Sequence, residues 1–177
     1  MPILIALIRG INVGGHKMLK MADVKVLCES LGLRDVRTHL QSGNVVFRTA
    51  KTDRARLGKE LESALGVEAK IILRSAEELR AVVAANPMPE AAQRAPSGFI
   101  VTFLSGKPSP AAMQSLRDAY SGPENMELHG TELYIEYTAG MGTSKLTNAL
   151  IERKLGVAGT ARNWNTVTKL VEIAAEM

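Results

Sequence analysis

The chain has 177 residues, of which 46% are apolar and 23% charged, with a formal net charge of +4. This composition excludes disorder as the main state, and a chain of this length buries roughly 70% of the surface its unfolded form exposes. A single cysteine, Cys28, excludes an intramolecular disulfide and a cysteine zinc cluster.

The unbroken apolar run from Ile3 to Ile8 predicts a strand buried on both faces. It lacks the basic leader and cleavage site of a signal peptide, and no run approaches the ~20 apolar residues of a membrane helix, so a cytoplasmic chain without membrane attachment is expected. A glycine-rich loop follows from Arg9 to Lys17. Val24, Leu27, Cys28 and Leu31 recur at helical spacing and predict a helix over Met21 to Leu31, stopped by Gly32. Val36 to Leu40 and Asn44 to Arg48 read as short strands joined through Gln41-Ser42-Gly43. Leu57, Leu61, Ala64 and Leu65 share one face of a helix over Asp53 to Leu65, with Gly66 after it. Ala69 to Leu73 is a further strand.

The second half opens with a helix, Ala76 to Ala85, whose Ser75 and Glu78 have capping-box spacing and which Asn86-Pro87 ends. The polar stretch from Met88 to Ser97, rich in proline and alanine, reads as a linker. Phe99 to Leu104 is a strand, and Ser109 caps a helix with Pro110 at its first position. Met126 to His129 and Glu132 to Tyr137 form a hairpin around Gly130-Thr131. Leu146 to Leu155 and Trp164 to Ala175 are helices, and between them only Val157 to Arg162, poor strand material, is left to close the pattern.

The order is α+β: strand, helix, strand, strand, helix, strand, and then the same again. It predicts two ferredoxin-like units (βαββαβ, the alpha-beta plait) in tandem and packed together. The expected bounds are 1–75 for the first unit, 76–94 for a connecting helix and loop, and 95–177 for the second unit with its C-terminal helix. The repeat is read from the order of elements, not from matching letters.

Four polar segments stand at element ends. Arg9-Gly10-Ile11-Asn12-Val13-Gly14-Gly15-His16-Lys17 follows a buried strand, and such a loop can turn backbone N–H groups toward an anion. It is neither a Walker loop nor GxGxxG, and its glycines serve a tight strand-to-helix turn equally well. Gln41-Ser42-Gly43-Asn44 either presents amide and hydroxyl groups or simply turns the chain. In Gly142-Thr143-Ser144-Lys145-Leu146-Thr147-Asn148 a hydroxyl reads first as a helix cap. Lys145, placed in the first helical turn against the dipole, hints at an anion nearby. In Arg162-Asn163-Trp164-Asn165-Thr166 the cap is Asn163, and the sole tryptophan either packs in the core or anchors a polar site. His16, His39 and His129 lack metal-ligand spacing, so no metal site is expected. Cys28 reads as a small core hydrophobe. No carboxylate pair stands out, because the acids fall on helix faces or in the Glu132 to Glu136 strand.

Arg9-Gly10-Ile11-Asn12-Val13-Gly14-Gly15, Gln41-Ser42-Gly43-Asn44-Val45-Val46-Phe47, Thr143-Ser144-Lys145-Leu146-Thr147-Asn148 and Arg162-Asn163-Trp164-Asn165-Thr166-Val167 occur in that order. In this the chain resembles the bacterial family catalogued as domain of unknown function 1697. The resemblance implies two ferredoxin-like units in a cytoplasmic protein. It implies no activity and carries over no catalytic residue.

Residues 1–76 carry a net charge of +6 and residues 77–177 a net of −2. The basic half suits a phosphate-bearing partner as well as a merely solvated surface. The favoured expectation is a phosphate-bearing or otherwise anionic small molecule in a cleft between the units. Arg9, Lys17, Lys145 and Arg162 would supply charge. Gly10, Gly14 and Gly15 would supply N–H donors. Asn12, Gln41, Ser42, Asn44, Ser144, Asn148, Asn163, Trp164 and Asn165 would orient the ligand. An enzyme built this way would act by electrostatic stabilisation of attack by water, since no protein nucleophile is evident. RNA binding through a sheet face is the alternative, drawn from the strand Gly98-Phe99-Ile100-Val101-Thr102-Phe103. It is disfavoured by an aromatic content of 4%. A non-catalytic interaction module is the third reading. Neither a cofactor nor an oligomeric state is legible.

Overall fold

The computed structural model describes residues 1–9, 18–66 and 68–177. The chain divides into two compact units, Met1–Ala81 with Lys169–Met177, and Val82–Thr168.

In the first unit the elements are β1 (Ile3–Arg9), α1 (Met21–Ser30), β2 (Arg34–His39), β3 (Asn44–Arg48), α2 (Arg54–Leu65) and β4 (Lys70–Ser75). The strands form one antiparallel sheet in the order β2-β3-β1-β4. Leu4, Ala6 and Ile8 of β1 pack with Val24 and Cys28 of α1 and with Leu57 and Leu61 of α2. Ile5 and Leu7, on the opposite face of the pleat, are completely buried as well. This is why β1 is apolar at every position from Ile3 to Ile8 rather than at alternate ones.

In the second unit the order is β5 (Phe99–Leu104), α5 (Pro110–Ala119), β6 (Asn125–His129), β7 (Glu132–Glu136), α6 (Asn148–Leu155) and β8 (Gly159–Asn163). The sheet order is β6-β7-β5-β8, again antiparallel. Ile100 and Leu104 of β5 pack with Met113 and Leu116 of α5 and Ile151 and Leu155 of α6. Two further helices, α3 (Ala76–Ala84) and α7 (Trp164–Ala175), contain the divisions between the units. The division thus falls inside α3, whereas the sequence reading set a joining segment at 76–94.

Local chemistry explains where the helices begin. The Asp53 side chain accepts from Arg56 N at 3.0 Å and starts α2. Ser75 and Glu78 form the reciprocal capping box: Glu78 N donates to Ser75 Oγ at 3.1 Å, and Ser75 N to Glu78 Oε2 at 2.6 Å. Ser109 caps α5 by accepting from Ala112 N at 3.0 Å, and Asn163 caps α7 by accepting from Thr166 N at 2.9 Å.

Two sequence expectations are corrected, on the linker and on Lys145, and a third, the closing strand of the second unit, is met. The stretch read as a linker holds a helix, α4 (Pro89–Arg94). Ala91 and Ala92 are buried there, and Arg94 pairs with the Glu136 carboxylate. Helix α6 starts at Asn148 with Thr147 as its cap, so Lys145 precedes the helix and does not oppose its dipole. The poor strand material does form β8. It takes its conformation from pairing with β5, and Gly159 is required by a close approach. A Cβ there would lie 2.9 Å from Thr102 Cγ2 and 3.1 Å from Leu104 Cδ2.

The two similar units also share a short run of letters at one helix end. Glu62-Ser63-Ala64-Leu65-Gly66-Val67 and Glu152-Arg153-Lys154-Leu155-Gly156-Val157 share glutamate, leucine, glycine and valine. Each glycine ends its helix in the left-handed region, with φ of 64° and 71°. Each glutamate reaches the following strand: Glu62 Oε1 accepts from Ile71 N at 2.8 Å, and Glu152 Oε1 from Gly159 N at 3.1 Å.

Among the described residues, one buried side-chain polar group is unsatisfied. Thr102 is 2% exposed and its Oγ1 has no hydrogen-bond partner. Replacing the hydroxyl with a methyl removes a desolvated polar group without changing the shape of the core. Thr102→Val is expected to stabilise the chain by about 1 kcal/mol, seen as a rise in the urea midpoint. A fall would show that the hydroxyl is satisfied in solution.

Candidate functional site

Arg9, the described residue of the first polar segment, stands at the same end of the first sheet as the second segment. Arg9 ends β1 and lies beside Lys70, and Ile8 N donates to Gly43 O at 2.8 Å. Gly10, Asn12, Gly14, Gly15, His16 and Lys17 fall outside the described residues. Asn44 is completely buried. Its Nδ2 donates to His39 O at 2.8 Å and to Ser42 Oγ at 3.2 Å. Asn44 therefore braces the turn from inside, while Gln41 and Ser42 are exposed at its tip.

The third and fourth segments share one end of the second sheet, because Glu136 and Asn163 pair with the neighbouring residues Phe99 and Ile100. They use different faces. Ala161 packs on the helix side, so alternation places Thr160 and Arg162 on the other side. Arg162 is buried, and its Nη1 donates to Thr160 Oγ1 and to Ala161 O, each at 2.8 Å. Burial pushes its guanidinium down to about 10, which leaves it charged at neutral pH. Asn163 is used as the cap of α7, and Asn148 and Asn165 are exposed. Trp164 is half-buried and meets Phe99 edge-on, with ring centroids 5.4 Å apart. Phe99 and Phe103 are completely buried, so β5 offers no exposed ring on which a base could stack.

The helix side of the second unit holds a cleft of about 450 Å³, lined by Tyr120, Glu124, Thr143, Ser144, Lys145 and Leu150 among others. Glu124 was missed in the sequence because it belongs to neither a helix face nor the β7 strand. It stands in the turn Ser121-Gly122-Pro123-Glu124, and a carboxylate after Gly-Pro was the available signal. Ser144 Oγ donates to Glu124 Oε1 at 2.5 Å and accepts from Leu146 N at 3.0 Å. The Tyr120 hydroxyl donates to Glu124 Oε2. Gly122 leaves the room this needs, since a Cβ there would collide with that hydroxyl. Burial alone would raise the Glu124 carboxyl. The bonds from Ser144 and Tyr120 outweigh it and hold the group below its ordinary value. Lys145, exposed, forms no ion pair among the described residues.

A family model described as "Protein of unknown function (DUF1697)" matches residues 1–134. The chain belongs to this family. The third and fourth polar segments lie beyond the residues matched. A conserved bacterial protein, SP0830 from Streptococcus pneumoniae, has a similar structure with a TM-score of 0.78. It is 22% identical, and the match covers 99% of each chain. At that identity the likeness establishes a shared fold: mixed α+β, with two four-stranded antiparallel sheets. A comparison with curated proteins gives no match. Among the described residues, no helix is long and apolar enough to cross a membrane.

Proposed function

We propose that this family member binds a small molecule bearing an anionic group, phosphate foremost, in the cleft of the second unit. The observation that carries this reading is Lys145, an exposed ammonium that lines the cleft and has no acidic partner among the described residues. The Thr143 and Ser144 hydroxyls line the same wall and would orient the ligand. The reading rests on the second unit taken by itself. We also infer that each unit is ferredoxin-like, which the βαββαβ order and the strand orders β2-β3-β1-β4 and β6-β7-β5-β8 support.

Thermal unfolding against a panel of phosphate-bearing metabolites at fixed salt tests the site. A ligand at a hundredfold excess over its Kd stabilises by about 2.7 kcal/mol, a rise of about 5–10 °C for a chain of this size. Lys145→Ala is expected to abolish the rise while leaving the unliganded Tm within about 1 °C, as for other exposed substitutions. An equal rise in wild type and variant would refute the assignment.

A further inference from the structure

Glu124 is 9% exposed and carries a charge, yet the groups that meet it are neutral: the hydroxyls of Ser144 and Tyr120 and its own backbone N–H. Buried carboxylates are ordinarily balanced by a cation. Elsewhere in the same unit Glu136, 8% exposed, follows that rule, since Arg94 and Asn125 both donate to it. Glu124 forms no ion pair among the described residues, and neither does Lys145 on the wall of the same cleft. The two opposite charges line one cavity and do not pair with each other. Each oxygen of Glu124 accepts one hydroxyl, and a carboxylate oxygen has room for two donors.

We propose that the cleft is built for a zwitterion, with the ligand's anionic group at Lys145 and its ammonium group at Glu124. This rests on the anion reading of the same cleft and narrows it. A polyanion would set its charge against the Glu124 carboxylate, whereas a molecule carrying both signs compensates both residues at once. Tyr120 and Ser144 then act as positioning residues that hold the carboxylate toward the cavity. The small lining residues, Gly122, Ala139 and Gly140 among them, suit a compact ligand.

A matched pair of probes tests this on the full chain by calorimetry: phosphoethanolamine, which carries one ammonium, and ethyl phosphate, the same skeleton without it. The expected result is phosphoethanolamine tighter by about tenfold, equivalent to about 1.4 kcal/mol. Glu124→Gln should erase that advantage and leave ethyl phosphate bound equally well or more tightly. Lys145→Ala should weaken both probes. Equal affinities in the wild type, with Lys145→Ala still weakening both, would overturn the zwitterion and leave the anion reading standing. Binding indifferent to Lys145→Ala, or no binding of either probe at millimolar concentration, would overturn both. The wild-type comparison needs no variant, so it decides the matter even if Glu124→Gln does not fold.

Discussion

Phe99→Ala is expected to destabilise the chain by about 3–5 kcal/mol, the largest loss of any single substitution argued from this structure. Phe99 is completely buried at the start of β5, the strand paired on both sides in the second sheet. Its ring meets Trp164 edge-on at 5.4 Å and Tyr134 at 6.4 Å with a tilt of 38°. Truncation removes buried apolar area and leaves a cavity beside two aromatic rings that are themselves anchored. The Tyr134 hydroxyl donates to Val82 O at 2.7 Å, and Trp164 begins a helix capped by Asn163. Neither can collapse freely into the space, which puts the cost toward the upper end of the range. Urea unfolding followed by tryptophan emission measures it. Phe99→Leu, which keeps most of the volume, should cost under about 1.5 kcal/mol. Similar losses for the two variants would show that the cavity is not the source.

Glu124→Ala should cost about 2–3 kcal/mol at neutral pH, the range for hydrogen bonds to a charged group. The Tyr120 and Ser144 hydroxyls lose their acceptor, and the turn before β6 loses its tie to the loop before α6. The pH dependence gives the sharper signature. The folded carboxyl titrates below its ordinary 4.5. Its contribution is therefore fully present above that value and fades as pH falls through the lower, folded one. The gap between wild type and Glu124→Ala should be constant from pH 7 to about 5.5 and should narrow as pH falls below the ordinary 4.5. Glu136, held low by Asn125 and then Arg94, leaves both proteins with a common residual acid sensitivity. A gap that persists unchanged at pH 3 would assign the loss to packing rather than to charge.

Features made by neighbouring residues were legible in the sequence. Ser75 with Glu78, Ser109 before Pro110, and Asn163 before Trp164 each satisfy helix N–H groups within three residues, so spacing alone identifies them. The apolar run of β1 announced a strand buried on both faces, and Phe99 to Leu104 announced a strand. What was faint in the sequence, or escaped it, was made by distant partners. Gly159-Thr160-Ala161-Arg162-Asn163 has little strand propensity and becomes β8 through its register with β5. Pro89–Arg94 is helical because Ala91 and Ala92 find buried positions and Arg94 meets a glutamate 42 residues away. The candidate site shows the same limit. Ser144 and Lys145 were singled out as part of a cap, but the cap is Thr147. Their setting depends on Glu124, 20 residues earlier, whose Gly-Pro-Glu turn is visible in the sequence but whose partner Ser144 is not.

The chain's one thiol and one indole fall in different units. Cys28 is 2% exposed, and burial followed by the charge of Glu29 pushes its thiol up to about 11. A maleimide or disulfide reagent will not reach it until the first unit opens. Trp164 rests on Phe99 within the second unit, and its emission changes when that contact parts. The wild-type molecule thus carries a separate clock for each half, with no label to introduce and no residue to remove. Running both clocks in one denaturant jump times the two openings independently. Coincident rates would mark a single cooperative event, and a lag would name the half that yields first.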